Sequence, residues 1–439
     1  MSFTKKVSLN LFKLEPLLKS RVVVGAMVWG VISVLLFLKI PSAFTKIYAE
    51  DGAVALQVAL TKSFPGDILT PVAGYSDLIL RFSGRFVSLF PLSMAASAFF
   101  FFNTLLLTCL FVVIYQASAS ILNDKVLQLL LSTSLILIPI GTFESIGNSA
   151  NLHFYFMAAC LPIFIAKSLT FRQEVWFGLF VFIATTSIPL MAFYIPLILF
   201  MLYDSRKGRL YARLRLPEIA FLLGLVYQFA FIFAEALGDR SIVGLGSMKR
   251  VLYLYLDRVV GSSLVPWWGN VSSGVKNDTP NFLSTQGYLF SRAMIASALL
   301  ILLLVLIKKM VDFDRRISIV IFLSGHLYWF TIGFLFSPEP RYAILPSFGL
   351  IFILLIFNKG QSQIWKIRGQ IAISCVLIAT WSGSWDPAPI RVNGPTWVSQ
   401  FQIAQKECAK KLIGEAEIRI IPMNSDWNVK INCNKLKLK

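Results

Sequence analysis

The chain has 439 residues, of which 56% are hydrophobic and only 14% charged, and its mean hydropathy is +0.71. Soluble domains carry about 25% charged residues, so this composition excludes a protein whose surface is mainly covered by water. The formal net charge is +19. In a soluble protein that charge would point to nucleic acid. Here the basic residues fall in short segments between apolar runs, the pattern that orients membrane helices, and no nucleic-acid partner is expected.

A helical span needs about 20 apolar residues, with a lower range near 17. The first such run, 22–40, follows Lys5, Lys6, Lys13, Lys19 and Arg21. No small-residue cleavage site follows it, so it reads as a retained signal anchor with the N-terminus in the cytoplasm. Residues 41–86 form a mixed outer loop containing Tyr48-Ala49-Glu50-Asp51-Gly52 and a turn at 70–75. Within it, 53–62 and 76–90 have helical apolar spacing and carry Arg81 and Arg85, as juxtamembrane helices lying in the interface do.

Further spans are predicted at 91–116, 126–141, 152–169, 175–187, 189–203, 218–236, 287–307, 317–336, 343–357 and 369–384, eleven in all. The runs 175–187 and 189–203 are short and nearly continuous. They count as two because merging them breaks the alternation of the loops. Predicted inner loops carry Lys125; Lys167 and Arg172; Arg206, Lys207, Arg209, Arg213 and Arg215; Lys308, Lys309, Arg315 and Arg316; Lys359, Lys366 and Arg368. The short outer loops 142–151 and 337–342 carry only Arg341. Positive residues mark the cytoplasmic side, and an odd number of spans puts the C-terminus outside.

The fold class is therefore an all-α polytopic membrane protein. Residues 1–384 form the transmembrane domain, including the outer loops 41–86 and 237–286. Residues 385–439 form a small C-terminal extracytoplasmic domain of α/β or β type, with strand-like alternation at Ile418, Ile420, Val429 and Ile431. Cys109, Cys160 and Cys375 lie in apolar runs as packing residues. Cys408 and Cys433 lie in the outer tail, an oxidising setting in which they can pair. Asn270 and Asn277 match the glycosylation pattern.

Four constellations can carry chemistry. Adjacent carboxylates such as Glu50 and Asp51 can divide labour, one accepting a proton and the other orienting a substrate or a divalent cation; alternatively Asp51 caps a helix starting near Gly52 and Glu50 is solvated. The outer segment 144–153 holds Glu144, Asn148, Asn151 and His153, suited either to sugar hydroxyls or, through Asn151, to capping the next helix. In the turn 337–342, Arg341 runs against the charge bias. It can grip a phosphate bidentately or snorkel toward head groups. The loop bearing Arg240, Lys249, Arg250 and Arg258 offers positive charge to an anionic head group, or a solvated face. No P-loop, Cys/His metal motif or serine elbow is present, so any energy for chemistry comes from an activated substrate.

A single span, an outer loop opening on adjacent acids with amphipathic helices, many spans with basic inner loops, and an outer C-terminal domain resemble the GT-C class of integral-membrane glycosyltransferases. The Arg341-Tyr342 pair is similar to that class's phosphate-binding region. The resemblance implies a sugar transferred from a polyprenyl-phosphate donor to an envelope glycan, lipid or protein acceptor, with inversion, on the outer face of a bacterial inner membrane. It implies that Asp51 is the base and that Glu50 orients the acceptor or a divalent cation. The order of the acids here, Glu-Asp, leaves open which is the base. Arg341, with Arg81, Arg85 or Arg258, would stabilise the leaving phosphate. Two other readings stand beside it. A lipid-linked glycan flippase would use polar groups within spans, of which His326 and Gln228 are the candidates. An envelope-glycan polymerase or ligase would take a pyrophosphate-linked donor.

Overall fold

A computed structural model describes residues 21–137, 145–206, 214–235, 248–264, 282–335, 339–383, 392–410, 414–422 and 427–436. The first apolar run is α1 (Arg21–Lys39). The segment after α1 folds into α2 (Asp51–Thr61), π-helical over Asp51–Leu56, and α3 (Leu78–Val87). The bundle continues with α4 (Ala95–Ala117), α5 (Lys125–Leu137), α6 (Ser149–Ile165), α7 (Phe171–Thr185), α8 (Ile195–Arg206) and α9 (Leu216–Glu235). After α10 (Met248–Leu254) and a π-helical turn (Tyr255–Gly261) come α11 (Phe282–Lys309), α12 (Asp312–Leu335), α13 (Ile344–Lys359) and α14 (Gln363–Gly383). The tail forms α15 (Trp397–Lys410) and a two-stranded antiparallel hairpin, β1 (Glu415–Arg419) and β2 (Asn428–Asn432).

A helix therefore occupies each of the eleven apolar runs. Among the described residues four stretches are long and apolar enough to cross a membrane: Leu92–Leu122, Leu216–Ala234, Asp312–Leu335 and Pro340–Lys359. Several others, including Val23–Lys39 and Ser149–Ile165, are apolar but shorter. Large side chains such as Phe233, Val226, Ile301 and Leu323 are exposed on the bundle's outside, where water would make them costly and lipid would not.

Contacts at the helix ends fix relative directions. Gly178 of α7 packs against Leu216 and Gly224 of α9 against Thr185. Both helices thus run the same way, and the chain returns between them over residues 186–215. At one end of the bundle, the end of α1 meets the end of α14, where Lys39 donates to the Trp381 carbonyl at 2.8 Å. At the opposite end, Lys359 closing α13 donates to Asp314 at the start of α12 (2.8 Å) and to the Ile121 carbonyl (3.2 Å). Lys366 pairs with Asp124 there.

At the centre lies α6, every residue of which is buried. Its carboxyl end is closed by Arg215, which donates to the carbonyls of Ala166 (2.8 Å) and Phe164 (3.1 Å) while pairing with buried Glu218.

The tail is not a free-standing unit. Ala416, Ile418, Val429 and Ile431 share one apolar core with Ala55, Leu56, Leu80 and Val87 of α2 and α3. Ile420 lies just beyond β1 and joins the same core. A β carbon on Gly52 would come within 2.6 Å of Ile420 Cδ1 and 3.1 Å of Val429 Cγ2, so the hairpin sits directly on the turn that carries the acids. Cys408 and Cys433 are joined in a disulfide, with Cα atoms 5.2 Å apart, and tie α15 to the end of β2.

Candidate functional site

The segment between α1 and α4 is anchored into the bundle by polar contacts that sequence spacing could not specify. Gln228, buried in α9, accepts from the Ser76 amide at 3.1 Å and donates to the Ser76 carbonyl at 2.8 Å. Ser187 Oγ accepts from the Ile79 amide at 3.1 Å. Gln228 thus serves as a clamp on the loop, and His326 pairs with Tyr255 and the Phe322 carbonyl.

Asp51 is buried and both its oxygens face the amino end of α6. Oδ2 accepts from the Ser149 amide at 3.1 Å and Oδ1 from the Ala150 amide at 3.2 Å. Asn148 Oδ1 also accepts from Ala150, at 3.0 Å, so the capping role falls to Asn148 and not to Asn151, which is buried one turn in. Nor does Asp51 cap its own helix: it caps a helix whose start is 98 residues away. Ser149 Oγ in turn donates to Asn103 of α4 at 2.7 Å.

Glu50 is half-buried at the start of α2. The residue before it, Ala49, has φ +33°, a conformation that costs a non-glycine residue about 1–3 kcal/mol. It is held because the Ala49 amide donates to the Ile421 carbonyl at 2.7 Å and the Ile421 amide to the Ile47 carbonyl at 3.2 Å. The tail thereby sets the backbone on which the acids are presented.

Two groups escaped the sequence reading. Asp77, 1% exposed, caps α3 through the Leu80 amide at 3.1 Å, and its other oxygen lies 3.1 Å from His153 Nδ1. A helix-start signature at Asp77 was legible; a partner 76 residues away was not. Tyr75 is the second. Its phenol is pushed well above the usual range, first by burial, then by the nearby charges of Asp77 and Glu50, while Arg341 acts in the opposite sense. All three charges therefore act on one phenol.

Arg341 lies in the 3₁₀ turn Pro340–Ala343, ion-paired with Glu339 at 2.6 Å and 5.6 Å from the Tyr342 ring centre. Tyr342 meets Phe154 edge-on at 5.4 Å, and Phe154 meets the His153 ring at 4.4 Å. The π-helical turn bearing half-buried Arg258 packs against the Arg341 turn.

Glu50, Asp51, His153, Arg341 and Tyr342 thus gather around the amino end of α6, with Arg258 behind. Arg81 and Arg85 do not belong to this group. The Arg81 guanidinium donates to the carbonyls of Thr70, Pro71 and Val54, each at 2.8 Å, so it staples the loop where a phosphate ligand was expected. Arg85 faces Asp67 at 3.7 Å. Glu144 lies outside the described residues, as do Arg240, Asn270 and Asn277; of Lys249 and Arg250 only the backbone is described. Among the described residues no three His, Cys, Asp or Glu side chains cluster to hold a metal ion. A crevice beside Asp51, lined by Ser42, Lys46, Tyr48, Phe99 and Ile421, has room for about one water molecule.

No family model, no curated protein and no solved structure matches the chain.

Proposed function

We propose that this chain is a GT-C-like membrane glycosyltransferase of a bacterial inner membrane. It moves a sugar from a polyprenyl-phosphate donor to an envelope glycan, lipid or protein acceptor on the outer face. The observation that carries this reading is that a half-buried acid, Glu50, and a turn-borne arginine, Arg341, meet the same end of α6: Glu50 precedes Asp51, which caps that helix, and Arg341 precedes Tyr342, whose ring meets Phe154. Acid–base and phosphate-binding chemistry are the two functions such a transfer needs, and here groups suited to each stand at one end of one helix.

In this reading the eleven helices are spans, the N-terminus is cytoplasmic and the tail lies outside. The paired ends described above support it. Asp51, Asp77 and Arg341 fall at one end of the bundle, and Lys359, Lys366 and Arg215 at the other, the basic and therefore cytoplasmic side.

The acids take different roles. Asp51 has both oxygens engaged by main-chain amides and positions the loop. Glu50 is the carboxylate that receives the acceptor hydroxyl's proton as that oxygen attacks the anomeric carbon. The bond from sugar to phosphate breaks on the opposite face, and Arg341 meets the charge that develops on the phosphate.

Membranes containing the protein, supplied with radiolabelled polyprenyl-phosphate sugars and envelope acceptors, test this directly. Glu50→Gln should lower transfer about 10²-fold or more in protein that remains folded. Transfer at the wild-type rate by both Glu50→Gln and Asp51→Asn would sink the assignment.

A further inference from the structure

Between α11, α13 and α14 runs a groove of about 230 Å³ that has no part in the transfer described above. We propose that it holds an acyl chain of an anionic phospholipid from the cytoplasmic leaflet, whose phosphate sits between Lys309 and Arg368 at the groove's basic end. The site lies beyond the proposed reaction. It takes from that reading only that these helices span the bilayer with their basic ends inside.

The walls come from Leu302 and Leu306 of α11, Ile351 and Leu354 of α13, and Ala372 and Val376 of α14. The lining is apolar except for Ser263, whose hydroxyl is already given to the Val259 carbonyl. Leu302 and Ala372 are exposed, so the groove opens onto the bundle's surface. Such a lining favours hydrocarbon over water.

Helical spacing places a cation below each of two walls. Residues three or four apart share one face of a helix. On α11, Leu299, Leu302 and Leu306 lead to Lys309. On α14, Val376 and Ala372 lead back to Arg368, whose guanidinium lies 5.0 Å from the Trp365 ring centre. Lys309 and Arg368 are exposed, and neither meets a carboxylate among the described residues. The nearby acids are engaged elsewhere: Asp312 pairs with Arg315, Asp314 with Lys359 and Asp124 with Lys366. The Lys359–Asp314 pair also puts the end of α11 and the start of α14 at one end of the bundle.

Length and charge decide the occupant. Lys309 is ten residues from Leu299 and Arg368 nine from Leu377, so each wall rises about 15 Å above its cation. One leaflet of the hydrocarbon core is also about 15 Å deep. A chain that enters between the two cations therefore ends where its leaflet ends. The amphiphile of that length with an anionic head is a phospholipid, and basic pockets between spans on the cytoplasmic side suit such heads. Trp365, exposed at the level of the head group, is of the kind enriched at that interface.

Full-length protein in detergent is titrated with phosphatidylglycerol and with phosphatidylcholine carrying the same acyl chains, and bound lipid is counted by native mass spectrometry. Nanodiscs containing phosphatidylglycerol with a diazirine on its chain then locate that chain. The expected result is saturable retention of phosphatidylglycerol over phosphatidylcholine, with crosslinks in 299–306 and 372–377. Lys309→Gln and Arg368→Gln should each weaken retention about fivefold. Lys308→Gln, which removes the same charge from a different face of α11, should not. Ala372→Trp should fill the groove and abolish the crosslinks without moving the unfolding temperature. Equal retention of the two lipids, wild-type retention by the Lys309→Gln, Arg368→Gln double variant, or crosslinks that persist in Ala372→Trp would each overturn the proposal. So would a lipid-free dimer, which gives the groove to a second copy. All of these outcomes leave the transferase reading standing. A chain that enters neither detergent micelles nor nanodiscs would overturn the spans and the lipid site together.

Discussion

Asp51 and Ser149 are 98 residues apart in the chain, yet the carboxylate of the first accepts the main-chain amide of the second at 3.1 Å. The same carboxylate takes the next amide, that of Ala150. One acid of a conspicuous pair is therefore a long-range helix cap, and the proposed transfer assigns the chemistry to its neighbour. Asp51→Ala should destabilise the protein by about 2 kcal/mol, with the loss softened by Asn148, which also serves Ala150. Asp51→Asn, keeping one acceptor oxygen, should fall between. Glu50→Gln should leave stability unchanged. Thermal unfolding in detergent checks all three, and equal destabilisation by Glu50→Gln would show that the division of roles is wrong.

Gln228 should act as a hinge pin for the outer loop. Gln228→Leu removes both hydrogen bonds to Ser76 and leaves two main-chain groups unsatisfied in a buried place. The expected cost is about 1–3 kcal/mol. Limited proteolysis should then cut 62–75 faster than in the wild type while the bundle survives. Unchanged protection of that segment would mean that other contacts suffice.

Gly84 should tolerate no side chain. A β carbon there would collide with the Ala55 carbonyl, because α3 crosses α2 at backbone contact. Gly84→Ala should cost about 1–3 kcal/mol or more and lower the yield of folded protein. Gly25, with nothing within 4 Å of its position, is the control: Gly25→Ala should be neutral in the same unfolding experiment.

The Cys408–Cys433 bridge closes a loop of sequence separation 25. Breaking it should destabilise the tail by about 3 kcal/mol on a chain-entropy basis. Because the tail holds Ala49 in its left-handed conformation, Cys408→Ser should also lower transfer without touching a reacting group. Mass-tagged maleimide on denatured, unreduced protein should count three thiols, Cys109, Cys160 and Cys375, and five after reduction. Five before reduction would mean the bridge is absent.

Much of the bundle's helical pattern was legible because hydropathy is a local signal. The break between 175–187 and 189–203 is an example: Pro189 starts a new turn. The tail's alternation at Ile418, Val429 and Ile431 reached the hairpin for the same reason. The site was legible only in its pieces. Glu50, Asp51, His153 and Arg341 stood out as polar groups in apolar surroundings, but partnership is a property of three-dimensional packing. Nothing in the spacing of Arg81 said that three carbonyls would claim it. Nothing around Asp77 distinguished an ordinary cap from one that also holds a histidine.

The central helix α6 has a carboxylate at its amino end and a guanidinium at its carboxyl end. A helix carries about half a positive charge at its start and half a negative charge at its finish, so each end meets its complement. Turned end for end in the same slot, the helix would place like against like twice over, in surroundings that screen little. The bundle thus contains a polarity key that works from inside. An assembly step that docks α6 before Asp51 and Arg215 arrive can be reversed; once both are seated, the helix can occupy that slot in one sense only.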